Sequence, residues 1–336
     1  MARAGPPLAH PPQLRSPARR VWLAGAAAAS VGLWLGIEFL LLPRLGSASG
    51  AAAQAAEAMV RAHAVLWAEK ARRSLLPADE SDPNRTGMIG PEYTAITTSV
   101  GSLPAKRTAA TPGFAAAIVR QLAALDLPTG APVVVLVSGS LVGGNIAAIA
   151  AVEALGLRPI LISSVSASMW GATDPGFTWL DIEATLSEAG VIDTQSSFAV
   201  LGGTGGIGGE IEPAGVEAIR AAAERTGVPL VEANSLGELL DWLEAAIAAA
   251  LEGEQPSLFM NVGGAVIGLG NCQESYTYPP GLNTGATGCT GGLPGLALRY
   301  ARAEVPVFHV LNIRRLAIEW ALPFDPMPLL RAGAVL

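Results

Sequence analysis

The stretch Pro132-Val133-Val134-Val135-Leu136-Val137, running into Ser138-Gly139-Ser140-Leu141-Val142-Gly143-Gly144-Asn145, decides the fold. A short, continuous apolar run closed by small and polar residues fits a strand buried on both faces. Such strands belong to parallel sheets covered by helices. Small residues after the strand let the chain turn sharply into a helix over 145–155. The same alternation recurs to the end of the chain. Strands are expected at 159–163, 198–201, 229–231, 258–262 and 305–310. Helices are expected at 113–126, near 180–189, and at 213–226, 235–252, 291–302 and 312–320. The expected fold is α/β, a mostly parallel Rossmann-like sheet with helices on both faces, preceded by one N-terminal transmembrane helix.

In sheets of this kind ligands bind beyond the carboxyl ends of the strands, so the loops after 137, 163, 201, 262 and 310 are the ones to inspect. The first holds Ser138, Ser140 and Asn145 ahead of a helix, whose free N–H groups and positive end suit an oxyanion, carboxylate or phosphate. It lacks the Lys-Ser/Thr ending of a P-loop and the spacing of a dinucleotide fingerprint, and no cofactor is expected. Ser140 is a candidate nucleophile, although the loop is only loosely like a Gly-x-Ser-x-Gly elbow. The second loop holds Ser163, Ser164, Ser166 and Ser168, then Asp174, a candidate general base or cation partner. The alternative is that these serines cap turns and that Asp174 starts the turn at Pro175. The glycine-dense run 202–209, with Gly203, Gly205 and Gly206, and the pair Gly263-Gly264 offer consecutive N–H groups of the kind that form anion nests.

Upstream, residues 51–76 are Ala-rich and free of Gly and Pro, with Met59, Val60, His63, Leu66 and Trp67 on roughly one face. They are expected to form a stalk helix that packs onto the domain and ends at Pro77. Residues 78–112 show little periodicity and are expected to be a long loop with one short strand, carrying Glu92, Lys106 and Arg107. Lys70 and Lys106 are the only lysines among 21 basic residues, and a lysine kept among arginines marks a place for a compact ammonium. An adjacent Lys-Arg pair is otherwise ordinary solvated surface.

Residues 1–20 are rich in Pro and Arg and contain no acid, and Val21–Leu42 is apolar apart from Glu38. About 20 apolar residues cross a bilayer, whereas the apolar part of a cleavable signal is shorter. The expected organisation is a cytoplasmic basic tail at 1–20, a transmembrane anchor at 21–43, the stalk at 51–76 and an extracytoplasmic α/β domain at 77–330. The lipid bilayer is met through residues 21–42. The positive-inside rule places the N-terminus in the cytoplasm and the domain outside the cytoplasmic membrane. Net charge is −7, and the first twenty residues hold four arginines, so the remainder carries −11. An acidic domain with 5% aromatic residues is a poor nucleic-acid binder, and no nucleic-acid partner is expected. Cys272 and Cys289 are the only cysteines and are a disulfide candidate in an oxidising compartment; the alternative is two buried thiols that never meet. No metal site is expected, because His10, His63 and His309 lack ligand spacing to either cysteine.

Several phrases carry a resemblance. Met88-Ile89-Gly90-Pro91-Glu92-Tyr93-Thr94-Ala95-Ile96-Thr97-Thr98, Gly101-Ser102-Leu103, and Ala105-Lys106-Arg107-Thr108 are similar to the bacterial poly-γ-glutamate system protein family. So are Ile162-Ser163-Ser164-Val165, Ala167-Ser168-Met169-Trp170-Gly171-Ala172, and Asp174-Pro175 through Phe177-Thr178-Trp179-Leu180-Asp181. The resemblance runs from the anchor to about Pro328. It implies an accessory place in poly-γ-glutamate synthesis, export or processing, with poly-γ-glutamate as ligand and other membrane components of that system as partners. It brings no reaction with it. An extracytoplasmic hydrolase that trims or releases the polymer is the alternative.

Overall fold

The computed structural model describes residues 25–26, 29–30, 32–33 and 42–329. The chain divides into two compact units, Met1–Ser47 and Ala48–Leu336. In the first, the described positions before residue 34 are helical, and the Ser30 hydroxyl donates to Ala26 O at 2.9 Å. Most of the expected anchor at 21–43, and the tail at 1–20, lie outside the described residues. Among those described, no helix is long and apolar enough to cross a membrane.

The second unit is built on a seven-stranded sheet. Its strands are β2 (Pro132–Ser138), β3 (Arg158–Ser164), β5 (Ser196–Val200), β6 (Leu230–Val231), β7 (Leu258–Val262), β8 (Gly281–Asn283) and β9 (Val307–Val310), in the order β6-β5-β3-β2-β7-β9-β8. Every pairing is parallel except β8 with β9. From β2 the chain lays strands outward on one side through β3, β5 and β6, then returns to place β7 on β2's other edge. The direction of winding therefore reverses between β2 and β7. Two further strands, β1 (Thr97–Ser99) and β4 (Ala167–Ser168), form a separate parallel pair.

The apolar run of β2 is continuous because both of its faces are covered. Val133, Val135 and Val137 enter one core cluster, and Val134 and Leu136 enter the other. The first cluster is closed by α1 (Leu42–Arg73), α3 (Pro112–Ala123), α4 (Val142–Ala154), α5 (Trp179–Glu188) and α6 (Pro213–Thr226). The second is closed by α7 (Leu236–Ala250) and α9 (Leu296–Arg302). The remaining helices are α2 (Leu103–Ala109), α8 (Val266–Leu269) and α10 (Ile313–Glu319). Within α1, Ala51, Ala55, Met59, Ala62 and Leu66 recur every three or four residues and are buried. The expected stalk is thus part of the outer layer, although Val60 faces solvent. The expected long loop at 78–112 contains β1, α2 and the start of α3.

Most buried polar groups are satisfied locally; among the described residues Asn145 Oδ1, Asn261 Oδ1 and Tyr278 Oη are buried without a hydrogen-bond partner. Glu183 on α5 accepts from Ser196 N at 2.6 Å and Ser196 Oγ at 2.7 Å, and burial raises its carboxyl to about 7. Its folded pKa exceeds its ordinary value, so between about 4.5 and 7 the folded state holds a proton that the unfolded state has lost. Stability then falls as pH rises through that window. Glu183→Gln should flatten this part of the profile, read as denaturation midpoint at pH 5 against pH 8; an unchanged slope would refute it. Cys272 and Cys289 are disulfide-bonded, with Cα atoms 5.1 Å apart and a sequence separation of 17. Loop closure of this length is worth about 3 kcal/mol, so the double serine variant should unfold at correspondingly lower denaturant, and an equal midpoint would count against it.

Candidate functional site

The carboxyl ends of the strands open into a cavity of about 800 Å³ over the β2–β7 switch point. All five strand-end loops reach it: Ser138, Ser140 and Leu141 after β2, Ser164 to Ser168 after β3, Gly203 to Gly205 after β5, Gly263 to Val266 after β7, and Leu311 to Arg314 after β9. A sixth wall comes from residues 98–106. That segment is clipped in place by the β1–β4 pair, in which Ser99 registers with Ser168. Met169 N also donates to Ser99 O at 2.9 Å, and Trp170 N to Pro91 O at 3.1 Å.

These walls approach one another backbone to backbone. A Cβ on Gly171 would lie 2.6 Å from Gly139 O, closer than any real side chain sits, so only glycine lets the β4 turn meet the β2 loop. At Gly203, φ is +68° and its N–H donates to Ser166 Oγ at 2.9 Å, which fixes the glycine run against the β3 end.

The chemistry of the lining is one-sided. It contains seven serines, two threonines and two charged side chains, Lys106 and Arg314, and no carboxylate. Arg314 stacks its guanidinium 4.1 Å over the Phe324 ring, and no ion pair engages it among the described residues. Lys106 is 6% exposed; its Nζ donates to Ser168 Oγ at 2.9 Å and to Ser140 O. Burial without a neighbouring acid lowers its ammonium to about 7.

The structure brings together Ser138, Ser140, Ser164, Ser166, Lys106, Gly203, Gly205, Gly263 and Gly264. Others take different places. Asn145 is fully buried under the loop, donating to Ser138 O at 2.8 Å, and Ser163 is a core hydroxyl that accepts from Trp179 Nε1 at 2.8 Å. Gly206 faces Ile267 and Leu239. Glu92 is exposed outside the cavity. Asp174 lies away from the lining and accepts from Gly176 N at 2.8 Å, closing its own Pro-Gly turn; the turn reading holds for it. His309 sits in the core beside Asn261 Nδ2 at 2.9 Å. Among the described residues no group of His, Cys, Asp and Glu is placed to hold a metal ion. Sequence reasoning missed Arg314, although the loop after residue 310 had been singled out, and undervalued Ser168 within its serine run.

The expected Lys106-Arg107 pair is also divided. Successive helical residues point about 100° apart, so Lys106 faces the cavity while Arg107 turns away. Arg107 forms a two-pronged pair with Asp325 at 2.7 and 2.6 Å, both side chains mostly buried. It is a strut for the C-terminal segment, not solvated surface. Arg107→Ala should therefore cost about 1–3 kcal/mol of stability; an unchanged melting temperature would contradict this.

No protein-family model matches this chain, and no curated protein or solved structure shows significant similarity to it.

Proposed function

We propose that the domain binds an anionic polycarboxylate outside the cytoplasmic membrane, as an anchored accessory component of poly-γ-glutamate synthesis, export or processing. The observation that carries this is the lining: the Arg314 guanidinium, the Lys106 amine, nine hydroxyls and no acid in a chain of net charge −7. Attraction must then come from the cavity itself, because the summed field of the chain repels anions. The hydroxyls and glycine N–H groups supply the hydrogen bonds that carboxylate oxygens accept. Two further points support the reading. Phrases resembling the poly-γ-glutamate system family supply Thr98, Gly101, Ser102, Lys106, Ser164 and Ser168, all on the cavity wall. The Cys272–Cys289 bond suits an oxidising compartment, as expected for a domain carried outside by a span at residues 21–43. The other membrane components of that system are its proposed partners.

A second reading, an extracytoplasmic hydrolase that trims or releases the polymer, is favoured by one contact, Lys106 Nζ on Ser168 Oγ.

Calorimetry on the full-length protein in detergent tests binding, with poly-γ-glutamate compared to a neutral polymer of similar length. Poly-γ-glutamate should bind more tightly, and added salt should weaken it because exposed charge pairs are screened within about 8–10 Å. Arg314→Ala should cost about 1.5–3 kcal/mol of affinity, the worth of a hydrogen bond to a charged group. Equal affinity for both polymers would overturn the reading.

A further inference from the structure

We propose that Ser168 and Lys106 are a nucleophile–base pair that cleaves an amide bond in a ligand held in the cavity. That the ligand is a polycarboxylate rests on the reading above; the pair itself rests on the geometry and burial of the two side chains.

Ser168 and Lys106 are 62 positions apart and come from different elements, β4 and α2, which the β1–β4 pairing sets side by side on the cavity wall. The lysine stem runs tightly past Gly101, where a Cβ would lie 2.9 Å from Cε, so the amine has a fixed approach to its partners. Those partners are one backbone carbonyl, Ser140 O, and one hydroxyl, Ser168 Oγ. Ser168 is fixed in turn, because its N–H donates to Ser140 Oγ at 2.9 Å. Ser140, the serine favoured by sequence, is therefore a positioning residue.

Lys70 provides a comparison inside the same molecule. Burial lowers its ammonium too, to about 8, against the opposing charges of Asp82 and Asp174, but its amine ends on Ile89 O at 2.7 Å, outside the cavity and with no hydroxyl partner. Lys70 serves to pin a loop. Lys106 has no acid to support it, so desolvation favours the neutral amine near pH 7. The only other charged side chain in the lining is Arg314. A neutral amine in contact with a hydroxyl at the edge of a cavity is the arrangement that serine–lysine hydrolases require.

The step balances without any metal or redox partner. Ser168 Oγ–H gives its proton to the neutral Nζ of Lys106 while Oγ bonds to the amide carbonyl carbon. The C–N bond then breaks, the departing nitrogen takes the proton from Lys106, and an ester on Ser168 remains. Water, activated by the same amine, adds to that ester and releases a carboxylic acid and free Ser168. In a polycarboxylate joined by amides, the products are two shorter chains.

A fluorophosphonate probe on the full-length protein in detergent, with peptide mass spectrometry, tests the pair. Ser168 should be the residue modified, at a rate that rises with pH through about 7. Ser168→Ala should abolish labelling, and Lys106→Met should slow it at least a hundredfold. If Lys106→Met does not fold, Ser168→Cys keeps the lysine in place. Its alkylation midpoint should then lie below the ordinary thiol value of about 8.5. No labelling of Ser168 between pH 5 and 9, or a cysteine midpoint at or above 8.5, would overturn the proposal. Incubation with poly-γ-glutamate separates the two readings. A polymer that binds without labelling of Ser168 leaves binding standing and removes the pair. Labelling of Ser168 with no binding keeps the pair and removes the polycarboxylate.

Discussion

One buried amine holds the site together. Lys106 Nζ ties α2 to the carbonyl of Ser140 on the β2 loop and to the hydroxyl of Ser168 on β4, three segments distant in sequence. Removing an ammonium from water without a counter-charge is costly, so the protein keeps such a group only where the surrounding packing fixes it. That packing is visible at Gly139 and Gly171, whose backbones meet more closely than any side chain would permit. The β1–β4 pair exists for the same contact. Two-residue and three-residue strands are too short to be stable alone, and they persist because the loops they join are already pressed together.

The placement of the cavity follows from the winding of the sheet. With β3 and β7 on opposite edges of β2, the connections leaving their carboxyl ends pass to opposite sides and leave a crevice between them. β2 and β3 each end in a serine, Ser138 and Ser164, which are register partners, so the ladder delivers their hydroxyls side by side to the crevice floor. The domain can thus be apolar through its core and still present a dense polar surface at one edge.

Much of this was legible in the sequence, and the rest was hidden for identifiable reasons. β2, β3 and β7 were plain because a strand covered on both faces must be apolar throughout, and the Val133/Val134 division between two core clusters bears that out. The loops that form the cavity followed from the same alternation. Within residues 78–112 the one short strand expected is β1, while α2 went unseen because it begins beside Pro104 with no apolar period. β8 escaped notice because Gly281-Leu282-Asn283 carries no strand signal and pairs as an antiparallel edge. Adjacency misled in the case of Lys106 and Arg107, where helix geometry assigns the neighbours to opposite tasks. Asp174 drew attention as an acid near hydroxyls, but sequence proximity to Ser168 does not survive the turn at Trp170, where φ is +61°.

Charge is distributed unevenly over the domain. Six of the ten arginines in residues 77–330 are already committed: Arg107 to Asp325, Arg158 to Glu254, Arg220 to Glu217 and Glu232, Arg225 to Asp181, Arg299 to Asp241 and Glu244, and Arg315 to Glu319. Each such pair neutralises locally and leaves no field beyond the surface. Lys106 and Arg314 differ because no carboxylate engages them among the described residues, and both open onto the same walled space. Low-dielectric walls lengthen the reach of an unpaired charge, so the Arg314 guanidinium, beside a Lys106 amine that can take up a proton, can outweigh the dispersed acids outside. The acidic exterior would then repel a polyanion everywhere except at the crevice. That is a selection by position that no overall charge balance could provide.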